Sequence, residues 1–157
     1  EEKRNLAVVH ITGGVDYLRV KEAYECMDMA SEIMPFSEEM PSLYAESDLV
    51  LGRSGSGTLA EIAVFGLPSI LIPYPHAASH QRENARFLAN DGAACVLDET
   101  EASPEKLREE ILSMVGDKAK RETMRNKVRK FARWDAGERL VEEVERLMSP
   151  SNGGMKR

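Results

Sequence analysis

Short apolar runs alternate with amphipathic stretches along most of this chain. Residues 5–12 (NLAVVHIT) read as a strand ended by Gly13 and Gly14, and residues 20–29 as a helix. A short strand is expected over residues 32–36 (EIMPF), a helical turn over 40–45, and a strand at Leu49, Val50 and Leu51. Residues 53–58 (RSGSGT) then form a small-residue loop opening a helix near Leu59 that runs to Phe65. Gly66, Leu67 and Pro68 stop that helix. Residues 69–73 (SILIP) are apolar at successive positions, as in a strand covered by helices on both faces.

The second half continues the alternation. Residues 81–90 look helical and are stopped by Asp91 and Gly92; residues 93–97 form another strand. Ser103 and Pro104 suit the N-cap and first turn of a helix with Leu107, Ile111, Leu112 and Val115 inward and Gly116 at its end. A further helix is expected to about Arg133. One more covers residues 136–148, with Leu140, Val144 and Leu147 in register. The whole predicts an α/β fold: five strands alternating with helices in a parallel sheet with helices on both faces. Residues 1–148 read as one domain, and residues 149–157 as a disordered tail with nothing to bury.

At 157 residues and 42% hydrophobic, the chain can build a real core. The longest apolar stretches fall short of a membrane span, and no signal-peptide pattern opens the sequence. A net charge of −6 excludes a nucleic-acid binder as the default. Cys26 and Cys95 show no metal spacing, and a reducing, cytoplasmic setting fits them. Charge is uneven: residues 118–133 hold Lys118, Lys120, Arg121, Arg125, Lys127, Arg129, Lys130 and Arg133 against one acid, Glu122. The simpler reading is a solvated face above the core stripe Met124, Val128 and Phe131; the other is a basic helix resting on an anionic membrane.

Chemistry concentrates at the carboxyl ends of the central strands, where open parallel sheets bind ligands. The loop Arg53-Ser54-Gly55-Ser56-Gly57-Thr58 lacks both the Gly-Lys-Ser/Thr of a Walker loop and a clean GxGxxG. Its generic signal is an anion at a helix start, where unpaired N–H groups meet the positive end of the helix dipole. Thr58-Leu59-Ala60-Glu61 fits a capping box. It equally fits Thr58 donating to a phosphate oxygen and Glu61 accepting from paired ribose hydroxyls. His80, Gln81 and Asn84, at the entry to the next helix, could bond sugar hydroxyls or brace the loop. His76 has a weaker case, and His10 sits inside a strand. No catalytic histidine and no metal site emerge, and no cofactor is expected.

Residues 53–85 closely resemble the donor-binding half of the MurG-type glycosyltransferases of family 28. The match is an ordered series: Arg53-Ser54-Gly55, Thr58, Ala60-Glu61, Gly66-Leu67-Pro68, Ile72-Pro73, His80-Gln81 and Asn84-Ala85. Fainter similarity extends from His10 to about Met148. The resemblance implies the second Rossmann-like half of a GT-B fold and an inverting transferase. Its donor would be UDP-N-acetylglucosamine and its acceptor a lipid-linked muramoyl-pentapeptide at the cytoplasmic face of the plasma membrane.

By position, Ser37 and Met40 would border the uracil, with Ser37 acting through its backbone. The loop Ser54, Gly55, Ser56, Gly57 and Thr58 would meet the diphosphate, and Glu61 the ribose. His80 and Gln81 would touch the N-acetylglucosamine; Arg53 and Asn84 complete the expected set. The family's opening strand and its acceptor domain have no counterpart in this sequence. That leaves open either a fragment or a sheet closed up in an order like 2-1-3-4-5. The chain alone is therefore not expected to transfer sugar. A non-catalytic subunit completed by a membrane-bound partner, and a transferase acting on another glycolipid, are the alternatives.

Overall fold

Two separate parallel sheets, one of two strands and one of three, organise the protein. The computed structural model describes residues 6–76 and 80–148, so the expected tail at 149–157 lies outside the described residues. The chain divides into two compact units between Ser47 and Asp48.

In the first unit β1 (Ala7–Ile11) pairs with β2 (Ala30–Met34), His10 lying opposite Ile33. Helix α1 (Tyr17–Glu25) connects them, and α2 (Met40–Glu46) follows. β2 ends before Pro35, two residues earlier than expected, because proline has no N–H to give to a ladder. Edge-to-face packing of His10 on Tyr24, at 5.8 Å between ring centroids, accounts for the strand histidine.

The second unit holds β3 (Val50–Gly52), α3 (Ser56–Phe65), β4 (Ser69–Leu71), α4 (His80–Ala89) and β5 (Cys95–Val96). Helices α5 (Pro104–Gly116), α6 (Lys118–Val128) and α7 (Ala136–Met148) follow, with a 3-10 turn at Arg129–Phe131. The sheet order is β3-β4-β5, all parallel. Within the described residues β1 pairs with β2 and β3 with β4, so the order 2-1-3-4-5 is not formed.

β4 is buried along its whole length, as its unbroken apolar run requires. Ile70, Leu97, Met114 and Met124 form the core there, with Leu107 and Ile111 of α5 packed against it. Ser103 caps α5 by accepting from the Lys106 N–H at 3.2 Å. Asp117 ends α5 and caps α6 through the Lys120 N–H at 2.9 Å. α3 ends in a Schellman motif. Gly66 sits at φ 65°, its N–H bonds Ala63, and the Leu67 N–H bonds Ile62 at 2.9 Å. α6 buries Met124 and Val128, two of the three residues expected on its core stripe, and Phe131 is part-buried in the 3-10 turn that follows. α7 buries nothing: Leu140, Val144 and Leu147 are all exposed.

Candidate functional site

β3 delivers the chain at Gly52 to the carboxyl end of the three-stranded sheet, and α3 begins four residues later. Gly55 is the N-cap, with extended φ −64° and ψ 149°, so Ser56, Gly57 and Thr58 fill the first helical turn. α3 thus starts three residues earlier than the sequence suggested. The first amide tied back is that of Leu59, which donates to the Gly55 carbonyl at 3.0 Å. The amides of Ser56, Gly57 and Thr58 make no hydrogen bond among the described residues, and no side chain caps the helix. Three donors therefore meet at the positive end of the helix dipole.

The glycines here are not required by the fold. Neither Gly55 nor Gly57 has a positive φ. A Cβ on Gly57 would meet nothing within 4 Å, and one on Gly55 only the Thr58 hydroxyl at 3.9 Å. The space that a side chain would fill lies open beside the unpaired amides.

A network of hydrogen bonds fixes this loop from behind. Ser54 is fully buried, its hydroxyl donating to the Gln81 carbonyl at 2.8 Å. The Asn84 side-chain amide donates to the Ser54 carbonyl at 3.1 Å. The Gln81 side-chain oxygen accepts from the Tyr74 N–H at 3.0 Å, and among the described residues its NH2 group has no partner. Arg53 donates to the Ile72 carbonyl at 3.2 Å, pairs with Glu99 at 3.0 Å, and lies over the Tyr74 ring. Loop, β4 end and α4 start are thereby locked together at one end of the sheet. Tyr74 and Glu99 were not singled out from sequence. The available signal was position: each follows the carboxyl end of a parallel strand, as Arg53 does.

Thr58 is the third residue of α3 and Glu61 lies one turn further on, exposed. Their spacing of three puts both on one helical face. Because Gly55 holds the N-cap, Thr58 cannot be a capping residue, and the capping-box interpretation of Thr58 and Glu61 falls. His80 is exposed at the first position of α4. His76 packs edge to face on Tyr74 at 5.5 Å. In the first unit the Ser37 hydroxyl accepts from the Glu39 N–H at 3.1 Å, just before Met40 opens α2.

Outside the loop, Cys95 is half-buried and its thiol contacts Glu110 at 3.7 Å. Burial, reinforced by that carboxylate, raises the thiol pKa. No helix among the described residues is long and apolar enough to cross a membrane.

The profile of the glycosyltransferase family 28 C-terminal domain matches residues 1–151. A Geobacter metallireducens protein is 38% identical over 143 residues, covering 90% of this chain and 39% of its own length. It is named UDP-N-acetylglucosamine–N-acetylmuramyl-(pentapeptide) pyrophosphoryl-undecaprenol N-acetylglucosamine transferase. A Solibacter usitatus protein of the same name is 35% identical over 144 residues, covering 91% of this chain and 39% of its own length. The chain thus spans about two fifths of the length of these curated relatives. Among solved structures, Acinetobacter baumannii MurG superposes with a TM-score of 0.80 at 27% identity, over 92% of this chain and 46% of that one. The calicheamicin glycosyltransferase CalG4, at TM-score 0.68 and 21% identity over 96% of this chain and 37% of that one, shares the fold.

Proposed function

Since the chain belongs to glycosyltransferase family 28 through that family's C-terminal domain, we propose that it binds UDP-N-acetylglucosamine at the start of α3. The observation that carries this is the set of three unpartnered amides at Ser56, Gly57 and Thr58, beside glycines whose missing side chains leave open space. A diphosphate supplies the negative charge and acceptor oxygens that such a helix start lacks. Thr58 adds a hydroxyl donor, and Glu61, on the same face, offers two acceptor oxygens to the ribose hydroxyls. His80 and the NH2 group of Gln81 face the sugar. Ser37 and Met40 are assigned to the uracil by the family resemblance alone, Ser37 through its backbone. Arg53, Ser54 and Asn84 contribute by holding the loop in place.

In the whole enzyme an acceptor sugar hydroxyl attacks the anomeric carbon from the face opposite the nucleotide. Charge then grows on the departing diphosphate. Amides already oriented toward it stabilise that charge without reorganising, which is how a preorganised site lowers a barrier. In this reading the acceptor is a lipid-linked muramoyl-pentapeptide of the kind the relatives' names contain, met at the cytoplasmic face of the plasma membrane.

Calorimetric titration with UDP tests the reading. Thr58→Ala and Glu61→Ala should each weaken binding by about 1 kcal/mol, or roughly fivefold. Unchanged affinity in both variants, beside a wild type that binds, would remove the assignment.

A further inference from the structure

The stretch that builds the proposed donor site is short of available positive charge. Residues 52–90 contain three arginines and no lysine. Each of the three is paired with a carboxylate. Arg53 meets Glu99 at 3.0 Å, Arg82 meets Asp98 at 3.3 Å, and Arg86 meets Glu83 at 3.2 Å. Asp98 and Glu99 are consecutive, in the turn that follows β5 after Leu97. The Arg53 guanidinium also donates to the Ile72 carbonyl and lies over the Tyr74 ring. One acidic step thus neutralises an arginine in each of two site elements, the loop after β3 and the first turn of α4. Both pairs are about half exposed, and pairs of that kind add little to stability. Folding alone does not account for them.

Ligand charge does. Free UDP ends in a phosphate whose second ionisation lies near about pH 6, so it carries about −3 at about pH 8. In a UDP-sugar that terminal oxygen is esterified, and the charge falls to about −2. A cationic cradle therefore favours the bare nucleotide, the product, over the donor. We propose that Asp98 and Glu99 are specificity-determining residues. By neutralising Arg82 and Arg53 they keep the site from preferring UDP to the UDP-sugar. The inference rests on the donor reading above and adds how the site tells donor from product. Arg53 lies three residues before Ser56, so its Cα is within about 11 Å of that residue's Cα. At about 10 Å and about 0.01 M salt, where the Debye length is about 30 Å, deleting one negative charge has a readable effect. It tightens a ligand of about −3 roughly fourfold, and one of about −2 roughly two- to threefold.

Glu99→Gln and Asp98→Asn remove each charge while keeping an oxygen that can accept from the same arginine. The full chain is titrated calorimetrically at about pH 8 and low salt with uridine, UDP and UDP-N-acetylglucosamine. Glu99→Gln should tighten UDP about fourfold and the UDP-sugar about two- to threefold, with uridine unchanged. Glu99→Gln combined with Asp98→Asn should widen that difference. Salt at about 1 M, where the Debye length is about 3 Å, should abolish it. Glu99→Asp keeps the charge and should bind all three ligands as wild type does. A bracing role gives another pattern: Glu99→Gln equal to wild type or weaker, and Glu99→Asp weaker, for every ligand alike. That pattern would overturn the proposal, as would equal tightening of UDP and the UDP-sugar, or a gain that high salt leaves intact. A wild type that binds no UDP at all removes the donor reading and this inference with it, so the two failures are distinct.

Discussion

The buried hydroxyl of Ser54 donates to the backbone carbonyl of Gln81 at 2.8 Å, joining the loop after β3 to the first turn of α4. Both residues belong to the stretch that resembles a donor-binding motif, yet this contact is between them. Ser54 keeps the loop where its neighbours' amides can face a ligand. Ser54→Ala removes a part-buried hydrogen bond while the Gln81 carbonyl keeps its place in the α4 ladder, which should cost about 0.5–1.5 kcal/mol. Urea denaturation checks this: the midpoint should fall at an unchanged slope.

Gly57 inside α3 and Gly66 at its C-terminal end should respond in opposite ways. Gly66 has φ 65°, and a side chain there would strike Arg129. Gly66→Ala should therefore destabilise by about 1–3 kcal/mol. Gly57 is helical with open space around it, so Gly57→Ala should leave stability unchanged or raise it by up to about 1 kcal/mol. The same substitution fills the space beside the unpaired amides and should weaken UDP binding markedly. Thermal unfolding and calorimetry on the two variants separate the fold's glycine from the ligand's.

Cys95 should leave a signature in the pH dependence of stability. Its thiol pKa is raised in the folded protein by burial and by Glu110. Below about pH 8.5 the thiol is protonated in both states and its contribution is fully present. As pH rises beyond that, the unfolded thiol ionises first, and this contribution is lost up to the folded pKa. Cys95→Ala should flatten that part of the stability profile. Alkylation at pH 8 should label the exposed Cys26 well before Cys95.

The strand-helix-strand unit around α3 is legible in the sequence because two unbroken apolar runs bracket a glycine-terminated helix. Its helix start is less so. Ser56 and Gly57 have loop composition, and only the structure reveals that a turn of helix runs through them. The spacing of Thr58 and Glu61 shows why motif reading stalls there. A separation of three residues describes both a capping box and two side chains sharing a helical face, and only the position of the N-cap decides between them. The roles of Tyr74 and Glu99 were hidden for another reason. They bond through backbone, ring face or a single carboxylate, to partners brought close by strand order rather than by sequence. The separation of the strands into two sheets was equally unreadable, since alternation fixes parallel pairing but not which strands become neighbours.

The central claim is that the amides opening α3 receive the diphosphate. Amide nitrogen-proton spectra of the labelled 157-residue chain, recorded while UDP is added, test it most directly. The largest shifts should fall on Ser56, Gly57 and Thr58, and uridine without phosphate should leave those three amides unmoved. Saturable UDP binding that shifts other residues and spares these three would contradict it.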